Sequence, residues 1–147
     1  MSTMSDEKRA ERLQKPLTGD ATYGERRLQF ARAAERYAAA YLERRAWRVL
    51  AVNQRVARGE IDIIARRGGV LAFVEVKARR SRRCGAPEDA VTPRKRRQIA
   101  RLAELWMGAR PAVMRGITDV RFDIIAVDLS CRPPQLRHLP AAFDGGR

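Results

Sequence analysis

Residues 59–80, GEIDIIARRGGVLAFVEVKARR, carry three acids and a lysine, Glu60, Asp62, Glu75 and Lys77, inside two runs that otherwise read as buried β-strand. The Gly68-Gly69 pair between the runs suits a two-residue hairpin with positive φ at both central positions. That turn sets Arg67 opposite Val70, and counting outward sets Ile64 against Phe73, Asp62 against Glu75 and Glu60 against Lys77. Alternation puts these last six side chains on one face, with Ile61, Ile63, Ala65, Val74 and Val76 on the other. Directly opposed carboxylates have Cβ atoms about 4.5–5.5 Å apart and destabilise the pair. A divalent cation held by both relieves the repulsion, and hard carboxylate oxygens suit Mg2+ (or Mn2+), which keeps its other positions for water and phosphate oxygens. Lys77, two residues beyond Glu75 on the same face, is placed to polarise a water or to neutralise charge growing on a phosphate. The plain alternative is a solvated charged face with Glu60–Lys77 as a cross-strand ion pair. The apolar neighbours Ile64, Leu71 and Phe73 argue against it for Asp62, Glu75 and Lys77, and leave Glu60 open.

The elements that must position these groups follow from composition. Residues 1–22 are polar, carry Pro16 and Gly19, and show no sustained period, which predicts a mobile tail ahead of one domain over 23–147. From Tyr23 to Arg45 the chain is rich in Ala, Glu, Arg and Leu, with no Gly or Pro after Gly24, and predicts a helix. On it Leu28, Ala31, Glu35, Ala38 and Leu42 recur at spacings of three and four, so Glu35 falls inside the apolar arc and Arg32, Arg36 and Glu43 outside it. A carboxylate there either joins the acids at the metal or pairs with an arginine such as Arg121. WRVLAVNQRV, EIDIIARR and VLAFVEVKAR predict three strands. After a loop, VTPRKRRQIARLAELWMGAR predicts a second helix with Thr92 as cap, Pro93 at its first position and Gly108 near its end. VRFDIIAVDL predicts a fourth strand, and QLRHLPAAF a short edge piece. The order is αβββαβ, an α/β domain.

Thirty-one Lys+Arg against 17 Asp+Glu give a formal net charge of +14 in 147 residues. Such an excess, mostly arginine, predicts a polyanionic partner, with nucleic acid favoured over a membrane surface. No apolar run approaches a spanning helix and no signal core follows the first charges, so a cytoplasmic protein with no membrane partner is expected. Arg94, Lys95, Arg97 and Arg101 on the second helix, with Arg96, and Arg79 and Arg80 after Lys77, form the expected contacts to a nucleic-acid backbone, which position a strand without reading its sequence. Arg121 and Asp123 read as a structural ion pair. His138, the only histidine, reads as structural, Cys84 and Cys131 as incidental, and Trp47, Trp106, Tyr37 and Tyr41 as core.

Asp62, followed thirteen residues later by Glu75-Val76-Lys77, resembles the D…(D/E)xK core of the PD-(D/E)xK, restriction-endonuclease-like superfamily. AERYAAAYLERRAWRVLAVNQR, GEIDIIA, FVEVKARR, GAPEDAVTPRK, RFDIIAV and the closing AAF resemble, in order, the YraN-like family of predicted endonucleases, from about Ala33 to Phe143. The resemblance implies a restriction-endonuclease-like αβββαβ fold with a mixed central sheet, similar to archaeal Holliday junction resolvases, where a first-helix acid joins the metal site. It carries over Asp62, Glu75, Lys77 and Glu35 as active-site residues, and by analogy with resolvases a homodimer. Two residues depart from the pattern. Ala34 stands where the family usually has Gly, which puts the packing around Glu35 in question, and Ile61 stands where the superfamily has proline, as is usual in this family. The function implied is a Mg2+- or Mn2+-dependent endonuclease hydrolysing DNA phosphodiester bonds, with structured or branched DNA as one candidate substrate. Asp62, Glu75 and the Val76 carbonyl would hold the ion. The alternative is a non-catalytic nucleic-acid-binding module in DNA recombination, repair or uptake.

Overall fold

A computed structural model describes residues 22–79 and 91–145. The expected tail, and Arg80 and Cys84 of the segment after the third strand, lie outside them. Seven elements follow in order: α1 (Tyr23–Arg44), β1 (Arg48–Val56), β2 (Gly59–Arg67), β3 (Val70–Arg79), α2 (Pro93–Gly108), β4 (Asp119–Asp128) and β5 (Gln135–Phe143). The expected αβββαβ core is present. The C-terminal piece is a full nine-residue edge strand, completing a five-stranded sheet in the order β1-β2-β3-β4-β5. Only β3 and β4 run parallel, and α2 is the crossover that parallel neighbours require.

Both helices begin on caps that their sequences dictate. Thr22 and Glu25 form a reciprocal box at the start of α1, each side chain accepting the other's backbone N–H. Thr92 Oγ1 accepts from the Lys95 N–H at 3.2 Å, with Pro93 at the first position of α2. The sheet buries a face under each helix. Ala34, Ala38 and Leu42 of α1 pack on Ile63, Ala65, Ala72, Val74, Ile125 and Val127, while Ile99, Leu102, Ala103 and Trp106 of α2 pack on Ile61, Ile64, Leu71, Phe73 and Ile124. Ala34, the departure from the family's glycine, is fully buried, and its methyl is part of the α1-side core. Leu28 departs from expectation. It is 55% exposed, and the buried residues of α1 begin only at Ala34.

The hairpin register is as expected from Arg67↔Val70 through Ile64↔Phe73, but the ladder ends at Ile63↔Val74. Asp62 and Glu75, and Glu60 and Lys77, are therefore not ladder partners. The turn also differs: Gly68 has φ 59, whereas Gly69 has no positive φ. Gly69 is needed for space, since a Cβ there would lie 2.7 Å from Thr118 Oγ1. Strict alternation fails as well. Ile61 and Ile64 share the α2-side core while Ile63 joins the α1 side, which no two-residue period allows. At that level β1 carries Asn53, whose φ of 52 is left-handed, and Asn53 and Asp62 are both skipped in the β1–β2 pairing.

Candidate metal centre and nucleic-acid interface

The irregularity at Asn53 and Asp62 builds the site. Released from the ladder, Asp62 uses its side chain where a backbone bond would have continued: Oδ2 accepts the Val76 N–H at 2.8 Å. The break also turns Asp62 towards α1. One carboxylate oxygen each from Glu35, Glu60 and Asp62 fall within 4.8 Å of one another. Glu75 lies close enough for its charge to act on Asp62, and Lys77 Nζ stands 3.5 Å from Glu75 Oε1. The expected acids Glu35, Asp62 and Glu75, together with Glu60, which the sequence left open, are thus gathered at the open end of the β2–β3 hairpin, with Lys77 beside Glu75. They do not share the single sheet face that alternation predicted. Glu60 does not pair with Lys77, and Glu35 does not pair with Arg121.

Charge at this end is unevenly compensated. Burial pushes the Asp62 carboxyl up to about 7, the negative charge of Glu75 adds to the rise, and the Val76 N–H and the Lys95 charge oppose it. Burial likewise raises Glu35, against its bond to Arg32 and with the charge of Asp62. Glu60 moves down instead, held by the Arg32 guanidinium. Arg32 was placed outside the apolar arc by sequence. It bridges the acids all the same, with Nη1 3.1 Å from Glu35 Oε2 and 2.8 Å from Glu60 Oε1. Its spacing of three from Glu35 was the available signal, since side chains so placed are neighbours on a helix. An all-oxygen carboxylate set fits a hard divalent ion and fits no soft metal.

The basic residues divide into two kinds. Arg94, Arg97 and Arg101 are exposed on α2, and Lys95 is half-buried at its first turn, where its charge reaches Glu60 and Asp62. Arg96, by contrast, donates to the Val91 carbonyl at 2.9 Å and covers the Phe143 ring. Arg66 donates to the carbonyls of Gly68, Val113 and Arg115, Arg67 to that of Arg45, and Arg110 to that of Trp106. Arg67 and Arg121 also cover the Trp47 ring. Arg121 and Asp123 form the expected ion pair at 2.8 Å, to which His138 Nε2 adds a contact at 2.7 Å and Ala141 a backbone N–H at 3.0 Å. This network ties β5 to β4, and Tyr41 of α1 reaches His138 at 3.4 Å. No described helix is long and apolar enough to cross a membrane.

Residues 34–127 match the model of the uncharacterised protein family UPF0102. A UPF0102 protein of Anaeromyxobacter dehalogenans is 41% identical over 122 residues, 83% of this chain and 89% of the relative. The UPF0102 protein GSU0650 of Geobacter sulfurreducens is 46% identical over 113 residues, 75% of this chain and 84% of the relative. Among solved structures, that of Pyrococcus furiosus SfsA in complex with Ca2+ covers 86% of this chain and is itself covered to 74%, at 15% identity and a TM-score of 0.30, a likeness at which two chains need not share a fold. The matched stretch begins at the residue before Glu35 and takes in Glu60, Asp62, Glu75, Lys77 and the first turn of α2, so the acids and bases gathered here lie within the part by which the chain belongs to the UPF0102 family.

Proposed function

We propose that the chain is a Mg2+- or Mn2+-dependent endonuclease that hydrolyses phosphodiester bonds in DNA, structured or branched DNA included. The observation that carries this reading is the meeting of Asp62 and Glu75 where the β2–β3 ladder opens, with Lys77 beside them and the Asp62 carboxyl held near neutrality. Asp62, Glu75 and the Val76 carbonyl would hold the ion. When bound, such an ion supplies Lewis acidity at the phosphate and a water acidic enough to be a nucleophile near neutral pH. Lys77, 29% exposed and 3.5 Å from Glu75, orients that water or meets the charge that grows on the phosphate oxygens. Glu35, buried and raised by that burial, assists as the first-helix acid. The exposed Arg94, Arg97 and Arg101, with Lys95, lead a backbone towards the acids, and Arg79 extends the positive strip from the end of β3. Phosphate contacts of this kind place a strand and leave its sequence unread.

The test is calorimetric titration of Mn2+ into wild type and Asp62→Ala, followed by cleavage assays on branched and linear DNA in the same metal. Saturable binding abolished in Asp62→Ala, with metal-dependent cuts abolished in Asp62→Ala and Lys77→Ala, is the expected result. Cleavage retained in a clean Asp62→Ala preparation would sink the assignment, and salt-sensitive DNA binding with no metal dependence would favour a non-catalytic binding module.

A further inference from the structure

The three carboxylates on the α1 side, Glu35, Glu60 and Asp62, stand close enough for a second cation, yet a cation of the chain's own already lies between two of them. Arg32 Nη1 contacts both Glu35 at 3.1 Å and Glu60 at 2.8 Å, and Nη2 reaches the second Glu60 oxygen at 3.5 Å. A guanidinium engaged on two carboxylates fills the room and meets the charge that a divalent ion would need there. The contrast with the other side of Asp62 is one of degree and kind. Glu75 is met by the single ammonium of Lys77 at 3.5 Å, and no described arginine contacts it. The fields of Arg55 and Lys95 add to that of Arg32 at Glu60, so the α1 side offers a second divalent ion little uncompensated negative charge.

We propose that Arg32 is the resident cation of the Glu35–Glu60 side and limits the centre to one divalent ion, at Asp62 and Glu75. The inference rests on the nuclease reading above and fixes its stoichiometry: one ion, with Arg32 holding Glu35 and Glu60 in the place that a second ion would take. Removal of the guanidinium leaves Glu35 and Glu60 without the cation that touches them and opens that place. Arg32→Lys keeps a charge within reach and preserves the single site, though a lysine engages the two acids without the planar fork.

The experiment titrates Mn2+ into the full chain by calorimetry and reads the bound ions by electron paramagnetic resonance, which separates an isolated Mn2+ from a spin-coupled pair. Wild type is expected to bind one ion with an isolated-ion spectrum, Arg32→Lys one, and Arg32→Gln two, with a coupled spectrum. A wild type that binds two ions overturns the proposal, as does an Arg32→Gln protein that is folded by circular dichroism and binds only one. Should Arg32→Gln fail to fold, Arg32→Ala is read in its place by the same criterion, and two ions in wild type or in Arg32→Lys refute the proposal. Failure of the nuclease reading is a separate outcome: wild type binds no Mn2+, or Asp62→Ala binds it as wild type does.

Discussion

Replacement of Asp62 by its amide should make the protein more stable at neutral and alkaline pH. The folded carboxyl is pushed up to about 7 from an ordinary 3.8, by burial first and by the charge of Glu75 second. The folded protein therefore binds this proton more tightly than the unfolded chain does, so stability is fullest below about pH 4 and declines as pH rises from 3.8 towards 7. At about 1.4 kcal/mol per pH unit, the ionised group costs on the order of 4 kcal/mol at pH 8 and less than about 2 kcal/mol at pH 5. Asp62→Asn retains an oxygen to accept the Val76 N–H and has no proton to lose, so it escapes that cost. Thermal melts without divalent ions should show the variant melting above wild type by at least about 5 °C at pH 8, with the gap shrinking by more than half at pH 5. Mn2+ should then raise the melting temperature of wild type and leave that of the variant unchanged. An equal or lower melting temperature for Asp62→Asn at pH 8, or a gap indifferent to pH, would refute the reasoning.

Three further outcomes are expected. Asp123→Ala leaves Arg121 and His138 without their shared carboxylate and should lower unfolding free energy by about 3–5 kcal/mol in urea titrations. Burial works to raise the Asp123 carboxyl, but His138, Arg121 and the Ala141 N–H outweigh it and hold the group low. Its contribution is thus present above the ordinary carboxylate range and disappears below it, and Asp123→Asn should remove that part of the acid lability in melts below about pH 4. Replacing Arg94, Lys95, Arg97 and Arg101 together by alanine should flatten the slope of log affinity against log salt by about 3 to 4, at roughly 0.9 for each phosphate left without its cation, as read by fluorescence anisotropy on duplex DNA. Arg66→Lys should do the reverse, lowering stability by about 1–3 kcal/mol in urea while leaving DNA affinity alone, because its guanidinium serves three carbonyls that one ammonium cannot span.

The strands, both helices and the pairing of the hairpin from Arg67 to Ile64 could be read from the chain, because Gly-Gly, Thr-Pro and β-branched runs act locally. The face on which Asp62 lies could not. It depends on a break in alternation opposite a left-handed Asn53, and a lone Asn inside a strand-like run carries no sign of that. Leu28 misled for a related reason: the helical period continues whether or not a sheet lies beneath it. Composition marked the arginine excess as a surface for polyanions, yet Arg32, Arg66, Arg67, Arg96, Arg110 and Arg121 are engaged on carboxylates, carbonyls and aromatic rings of the protein itself. Net charge is blind to that division. The gathering of the acids was visible in outline through Asp62, Glu75 and Lys77, whereas the bridge made by Arg32 depends on tertiary contact with Glu60.

The bond from the Val76 N–H to Asp62 has a consequence for reading relatives of this chain. One carboxylate both finishes the sheet and serves the acidic centre, so a lineage that gave up chemistry would still be selected to keep an oxygen at position 62. Such a descendant would drift to Asn there, which preserves the sheet and sheds the ionisation cost, and would let Lys77 wander, since its described partner is Glu75 alone. On the proposed nuclease reading, retention of Asp rather than Asn at 62, together with Lys at 77, is therefore the signature expected to separate working descendants from retired ones.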